Sequence, residues 1–284
     1  MRTYNDINIS IRNLLRDSGI EACAQEARII LAKAAGKTTQ QLLRDIRLYA
    51  SPEIEKAAMD MAGRRIDGEP VAYITNEWEF YGLPFYITDD VLIPRMDTEV
   101  AVDAVKELLT GNNMNARVLD LCTGSGCIAC AIAKELPATR LVAVDISAAA
   151  LEVAKKNINL NRLASRIITL KADAEMTPPM SIGQFDVIVS NPPYIASAEI
   201  QTLDSSVKDY EPMWALDGGP DGYKFYKSII KYWKACLKPG GSIVFEVGEG
   251  QAERVSEMLL AGGFRSTAFR KDTLGIDRVV IGRI

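Results

Sequence analysis

From Pro94 onward the chain repeats one texture: a short apolar run, a polar or glycine-bearing turn, then an amphipathic stretch long enough for a helix. The runs are "RVLDLC", "RLVAVDI", "RIITLKA" and "FDVIVSN", separated by stretches such as "SAAALEVAKKNINLN". Runs that are apolar on both faces suit parallel strands covered by helices on either side. The alternation therefore predicts an α/β domain built on a mostly parallel sheet. Later come "GSIVFEV", a helix over "GQAERVSEMLLAGG", then "FRSTAFRK" and "DRVVIGR". With no helix between the last two runs, the sheet is expected to close on an antiparallel hairpin. That makes seven strands, the last of them antiparallel.

The first part of the chain has a different period. Ile7, Ile11, Leu14 and Leu15 fall on one helical face, as do Ala27, Ile30, Leu31 and Ala34. Gly36 breaks the pattern before "QQLLRDI", and Ser51-Pro52 starts a further helix. Aromatic and β-branched residues then take over in "VAYITNEWEFYGLPFYITDDVLIP", interrupted by Gly82-Leu83-Pro84. The expected organisation is a small helical bundle over residues 1–68, a β-hairpin linker over 69–93 and the α/β domain over 94–284.

Composition limits the chemistry. With no histidine among 284 residues, Ser-His-Asp and Cys-His nucleophiles, His-bound zinc and imidazole proton shuttles are excluded. A net charge of -4 with scattered basic residues gives no support to direct nucleic-acid binding. The first residues lack an apolar signal core and no window resembles a membrane span, so a cytoplasmic protein is expected. Cys122, Cys127 and Cys130, with Cys236 as a conceivable fourth, have the spacing of plant-type iron-sulfur ligands. Because they lie where a strand turns into a helix, small buried fillers are the preferred reading, and no metal is expected.

That turn, "VLDLCTGSGCIA", leaves Gly124 and Gly126 where a backbone without side chains permits close approach of a ligand. Glycines at such turns also serve packing alone. Asp145 closes the second strand about 20 residues on, where a carboxylate can take both hydroxyls of a ribose; it is equally placed to cap the next helix. Asp173 ends the third strand and can accept from an adenine amino group, or be a plain loop aspartate. Asp120, just before the turn, suits the ammonium group of a methionine moiety better than a pyrophosphate. Asp145 and Asp173 imply an adenosine without saying which cofactor carries it; Asp120 leans toward S-adenosylmethionine, and the fourth strand settles the preference.

The fourth strand ends in Asn191-Pro192-Pro193-Tyr194. Proline has no N–H and holds its predecessor extended, so the segment is a stiff ledge rich in acceptors. The Asn191 side-chain carbonyl and the Pro192 backbone carbonyl can receive both hydrogens of one planar NH2 group, with the Tyr194 ring as a wall. Such a nitrogen is a poor nucleophile until its lone pair is aimed at an electrophile, which needs positioning more than a base. The alternative is a Pro-Pro turn with Tyr194 packed as core.

"DLCTGSG", "VDIS" and "NPPY" resemble class I S-adenosylmethionine-dependent methyltransferases acting on planar amino groups. "LIPRMDTE", "YEPMWALDGGPDG" and "GIDRVVIGR" extend the resemblance over nearly the whole chain to the release factor glutamine methyltransferases. The resemblance implies a Rossmann-like class I methyltransferase sheet, and methyl transfer to the glutamine of the Gly-Gly-Gln loop in class I peptide chain release factors. It implies S-adenosyl-L-homocysteine as the product. It assigns Cys122, Thr123, Gly124, Ser125 and Gly126 to the cofactor loop, Asp145 to the ribose, Asp173 and Ala174 to the adenine, and Asn191 to Tyr194 to the glutamine. Cys122 stands where the family has glycine, and Ala174 where a larger residue covers the adenine. Thr98 and Glu99 either start a helix over the cofactor or mark a helix start only; Glu246 ends a strand and stays outside the predicted site. The rival readings are a DNA or RNA amino-group methyltransferase and a dinucleotide-binding protein.

Overall fold

The computed structural model describes residues 1–110 and 115–284, which divide into two compact units: Met1–Glu77 with Asp204–Tyr210, and Trp78–Leu203 with Glu211–Ile284.

The smaller unit is helical: α1 Tyr4–Asp17, α2 Cys23–Ala34, α3 Thr39–Arg44, α4 Pro52–Ile66, α5 Val71–Thr75 and the later α9, Ser205–Lys208. Thr3 and Thr38 close capping boxes, and Ser51 caps α4 with Pro52 in its first turn. Ile7, Ile11 and Leu15 of α1 meet Ala27, Ile30 and Leu31 of α2 and Ala58 and Ala62 of α4 in one core. Small alanines on α2 and α4 let the helices pack closely. Leu14, expected on the buried face, is 39% exposed because it sits at the edge of the stripe. Residues 69–93 hold less strand than their texture suggests. Val71–Thr75 is helical and ends on Asn76 in the left-handed region, and only β1 Trp78–Phe80 and β2 Leu83–Phe85 pair.

The larger unit carries a seven-stranded sheet, β3 Arg117–Leu121, β4 Arg140–Asp145, β5 Ile167–Lys171, β6 Phe185–Ser190, β7 Leu237–Glu246, β8 Ser266–Lys271 and β9 Asp277–Arg283, in the order β5-β4-β3-β6-β7-β9-β8. Strands β3 to β7 pair in parallel, while β9 runs antiparallel to both β7 and β8, as the absence of a connecting helix requires. Helices α6 Glu99–Leu109, α7 Cys127–Glu135, α8 Ala148–Leu160, α11 Lys224–Tyr232 and α12 Ala252–Ala261 supply the layers, and α10 is the short Met213–Leu216. Trp233, Tyr226, Phe185 and Phe245 are wholly buried and anchor the core on one face of the sheet. Strand order reverses at β3, where β4 lies on one side and β6 on the other. In an open parallel sheet that is where a ligand crevice opens, at the carboxyl ends of the strands. Among the described residues no helix is long and apolar enough to cross a membrane.

Candidate active site

The loop after β3 is held from inside. Cys122 has φ +64°, the left-handed region that explains why glycine is usual here. Thr123 donates its hydroxyl to Asp120 Oδ2 at 2.5 Å, and Ala129 N donates to the same oxygen at 3.2 Å, so Asp120 ties the loop to α7. Asp120 is wholly buried, its Oδ1 has no partner, and burial pushes its carboxyl up to about 7. Gly126, φ +79°, caps α7, and a side-chain carbon there would stand 3.2 Å from Ala154 Cβ on α8. The absence of a side chain there lets α7 and α8 pack closely.

Asp145 accepts Gly124 N at 2.9 Å on Oδ2 and Ser147 N at 2.9 Å on Oδ1, while Ser147 caps α8 by accepting Ala150 N. The helix cap thus falls to Ser147, and each Asp145 oxygen keeps a lone pair beyond its backbone donor. Burial raises this carboxyl, and the backbone donors oppose that shift. Asp173 accepts Glu175 N at 2.8 Å on Oδ1, and the carbonyl of buried Ala174 accepts Trp233 Nε1 at 3.1 Å.

At the end of β6, Ser190 donates to Leu121 O at 2.6 Å and fixes the two strand ends at one level. The chain then enters Asn191, partly buried, whose Nδ2 donates to Thr98 Oγ1 at 3.3 Å. Beyond Tyr194 the loop is braced by "LDGGPDG": Ile195 N reaches Leu216 O, Gly218 N reaches Ile195 O, and Gln251 Nε2 donates to Tyr194 O at 3.0 Å. A side-chain carbon at Gly222, φ +74°, would lie 2.5 Å from Tyr194 O, and one at Gly218 2.7 Å from Tyr194 Cα. These glycines exist so that two backbones can touch.

A cavity of about 490 Å³ joins these loops. Its wall includes Cys122, Thr123, Gly124, Ser125, Asp145, Asp173, Ala174, Asn191 and Pro193, together with Thr98, one of whose two expected roles lay over this site, and it brings in Met213, Trp214 and Phe225, which the sequence reading did not place there. Asp120 and Gly126 lie outside the wall, beneath the loop. Pro192 and Tyr194 are also outside it: Pro192 is buried, and the Tyr194 ring packs against the core, 3.1 Å from where a Gly248 side chain would begin. In this arrangement Tyr194 braces the ledge and its ring does not form the expected wall. Burial and the field of Glu246 raise its phenol well above the usual value.

The remaining segments of the resemblance acquire physical roles. Arg95 of "PRMDTE" pairs with buried Glu211 of "YEP", and Ile93 N donates to the same carboxylate at 3.3 Å, latching the two segments at the cavity rim. Arg278 of "GIDRVVIGR" bridges Asp272 at 3.0 Å and Asp97 at 3.4 Å. Asn157, fully buried on α8, was missed in the sequence: it accepts Tyr86 N and donates to Tyr86 O and Ser125 O, joining the segment after β2 to the glycine loop. An asparagine in the interior of an otherwise apolar helical face was the available signal. Cys127, Cys130 and Cys236 are buried, and burial pushes Cys127 up to about 12, so that thiol on its own is neutral. Among the described residues no three His, Cys, Asp or Glu side chains gather as a metal set would.

Comparison with known proteins agrees with this geometry. Residues 98–206 match the Methyltransferase small domain and residues 9–75 the PrmC N-terminal domain. The chain is 40% identical over 273 residues to the release factor glutamine methyltransferase of Geobacter sulfurreducens, covering 96% of this chain and 94% of that one. It is 38% identical over 276 residues to the protein of the same name from Clostridium acetobutylicum, covering 97% and 96%. Among solved structures, the hMettl16 catalytic domain in complex with MAT2A 3'UTR hairpin 6 shares the fold, with a TM-score of 0.58 at 19% identity over 78% of this chain and 81% of that one. On the strength of the full-length relatives, the chain belongs to the release factor glutamine methyltransferase family.

Proposed function

We propose that this chain transfers a methyl group from S-adenosylmethionine to the side-chain amide nitrogen of the glutamine in the Gly-Gly-Gln loop of class I peptide chain release factors. The observation that carries the reading is the meeting of three strand ends in one cavity, acids from β4 and β5 lining it with Asn191 and Pro193 of the ledge after β6.

The residues present fit the cofactor. Asp145 retains lone pairs for two ribose hydroxyls, Asp173 Oδ2 is available to an adenine amino group, and Thr123 to Ser125 form the floor under the amino-acid end. A cavity of about 490 Å³ is in the range that encloses a nucleoside-sized ligand. Asp120, beneath the floor with an orphaned oxygen, supplies negative potential toward a cation above it. Bound S-adenosylmethionine supplies a methyl group on a positively charged sulfur and leaves as S-adenosyl-L-homocysteine.

The chain's own contribution is orientation. Asn191 Oδ1 and the carbonyl of Pro192, which lies between two residues of the cavity wall, accept the two N–H bonds of the glutamine amide. They thereby hold its plane and draw electron density back to nitrogen. Transfer would leave the carbon–sulfur electron pair on sulfur as the C–N bond forms, and the methylated nitrogen would release one proton to water. No imidazole is needed. We assign the helical unit to docking the release factor, with residues 1–68 as its core and 69–93 as the connection to the catalytic domain, 94–284; the reaction belongs in the cytoplasm. Tyr194 keeps a role in the site as the residue that sets the ledge's height.

Incubation with labelled S-adenosylmethionine and, separately, purified release factor, DNA and RNA tests the reading. Label is expected in the release factor alone; label only in nucleic acid would make the ledge a holder of an extruded base.

A further inference from the structure

Glu246 is a buried carboxylate that the proposed chemistry leaves unused. It ends β7 one step beyond Phe245, which pairs with Ser190 of β6, so it stands level with Asn191 on the adjacent strand. It is 1% exposed, and its Oε2 has no partner. Its hydrogen-bonding neighbours are the side chains of Thr98 and Asn191. The charged and titratable groups facing it are Arg278 of β9, Asp97 before α6, Tyr194 of the ledge, Tyr226 of α11 and Cys127 of α7. Arg278 is already shared between Asp272 and Asp97.

An asparagine amide is two-ended: one end donates, the other accepts, and turning it over reverses what it offers a substrate. The contact from Asn191 Nδ2 to Thr98 Oγ1 puts the donating end toward the support. Thr98 then spends its own hydroxyl hydrogen elsewhere, and an ionised Glu246 is the acceptor beside it. This order of donors leaves Asn191 Oδ1 for the substrate. A protonated acid reverses it: the acid donates to Thr98, the Thr98 hydrogen turns to Asn191, and the amide that fits presents NH2 to the cavity, where it opposes another NH2.

We propose that Glu246, acting through Thr98, is a positioning residue that fixes the amide of Asn191 with its oxygen toward the substrate, and that its ionised form is the competent one. The inference rests on Asn191 being the acceptor for the substrate amide. Burial pushes Glu246 up to about 7, which places the changeover where an enzyme works.

The test compares wild type with Glu246→Gln, Thr98→Val, Thr98→Ser and Asn191→Ala in the full chain. The readouts are kcat at saturating S-adenosylmethionine from pH 5.5 to 8.5, KM for release factor, and cofactor affinity by calorimetry. Wild-type kcat is expected to rise with pH through a single step near 7. Glu246→Gln lowers the plateau roughly tenfold or more and removes the step, with cofactor affinity within about twofold of wild type. Asp120 titrates in the same range but lies under the cofactor loop, so its effect falls on cofactor binding. Thr98→Val follows Glu246→Gln, and Thr98→Ser, which restores the hydroxyl, returns kcat to within about threefold of wild type. If Glu246→Gln fails to fold, the Thr98 pair decides. Wild-type kcat and an unchanged pH step in both Glu246→Gln and Thr98→Val, with Asn191→Ala inactive, overturn this inference alone. Full activity in Asn191→Ala overturns the underlying assignment of Asn191 instead.

Discussion

The ends of β3 and β6 lie at one level of the sheet and face one cavity, yet they are built by opposite means. After β3 the loop is held by carboxylates: Asp120 of its own strand holds Thr123, and Asp145 at the end of the neighbouring β4 holds Gly124. After β6 two prolines remove donors, and the backbone is braced from outside by Gly218, Gly222 and Gln251. In the proposed reading the first loop would meet its ligand with carboxylates, the chemistry suited to a cation and its hydroxyls. The second offers neutral carbonyls, suited to a neutral amide. The lesson is that a two-substrate transfer site separates what must be charged from what must only be aligned.

The comparison breaks most sharply at Asn191. Replacing it by alanine is expected to lower methyl transfer to release factor on the order of 100-fold while calorimetry gives cofactor affinity within about twofold of wild type. A parallel loss of both would merge the two regions. Gly222→Ala should come next: its added carbon meets Tyr194 O at 2.5 Å with φ at +74°. A cost of about 1–3 kcal/mol in stability and a clear drop in kcat are expected, read by denaturant titration and by transfer at fixed cofactor. Asp145→Ala acts on the other region alone. It should weaken cofactor binding roughly 10- to 100-fold, since a hydrogen bond to a charged group contributes roughly 1.5–3 kcal/mol, and leave kcat at saturation nearly intact.

A smaller effect concerns pH. Asp120 and Glu246 have carboxyls raised by burial to about 7, whereas unfolded Asp and Glu titrate near 4. Between those limits the folded chain binds more protons than the unfolded one, so stability falls as pH rises from about 4 to about 7 and then levels. Asp120→Asn or Glu246→Gln should flatten that slope in melting curves taken from pH 5 to 8. The smallest effect is at Cys122, φ +64°. Cys122→Gly relieves roughly 1 kcal/mol of left-handed strain and loses a little packing, so melting should shift little, whereas Cys122→Val should lower it clearly.

Much of this was legible in the chain, for reasons that differ between residues. Strands buried on both faces announce themselves as apolar runs, and the missing helix between the last two fixed the antiparallel closure. That Gly124, Asp145, Asp173 and Asn191 line the cavity was legible because each ends or closely follows such a run, and a strand end in a parallel sheet faces the crevice. What escaped was whatever depends on alignment between strands distant in sequence. Glu246 stands beside Asn191 only through the β6–β7 register, and Thr98 arrives from before the sheet begins. Tyr194 was assigned to a wall because its place beside the prolines suggested it, but the approach of Gly218, Gly222 and Gly248 sets its position. The surroundings of Gly126 and Gly124 also differ in a way the sequence does not carry: Gly126 abuts Ala154 of α8, whereas Gly124 lines the cavity.

The most direct test of the account is a crystal structure of the chain with S-adenosyl-L-homocysteine and a release factor carrying its Gly-Gly-Gln loop. The glutamine nitrogen is expected within hydrogen-bond distance, about 2.9 Å, of both Asn191 Oδ1 and the Pro192 carbonyl, with the ribose on Asp145. A glutamine seated away from the ledge, or a cofactor sulfur pointing away from it, would contradict the division between the two strand ends.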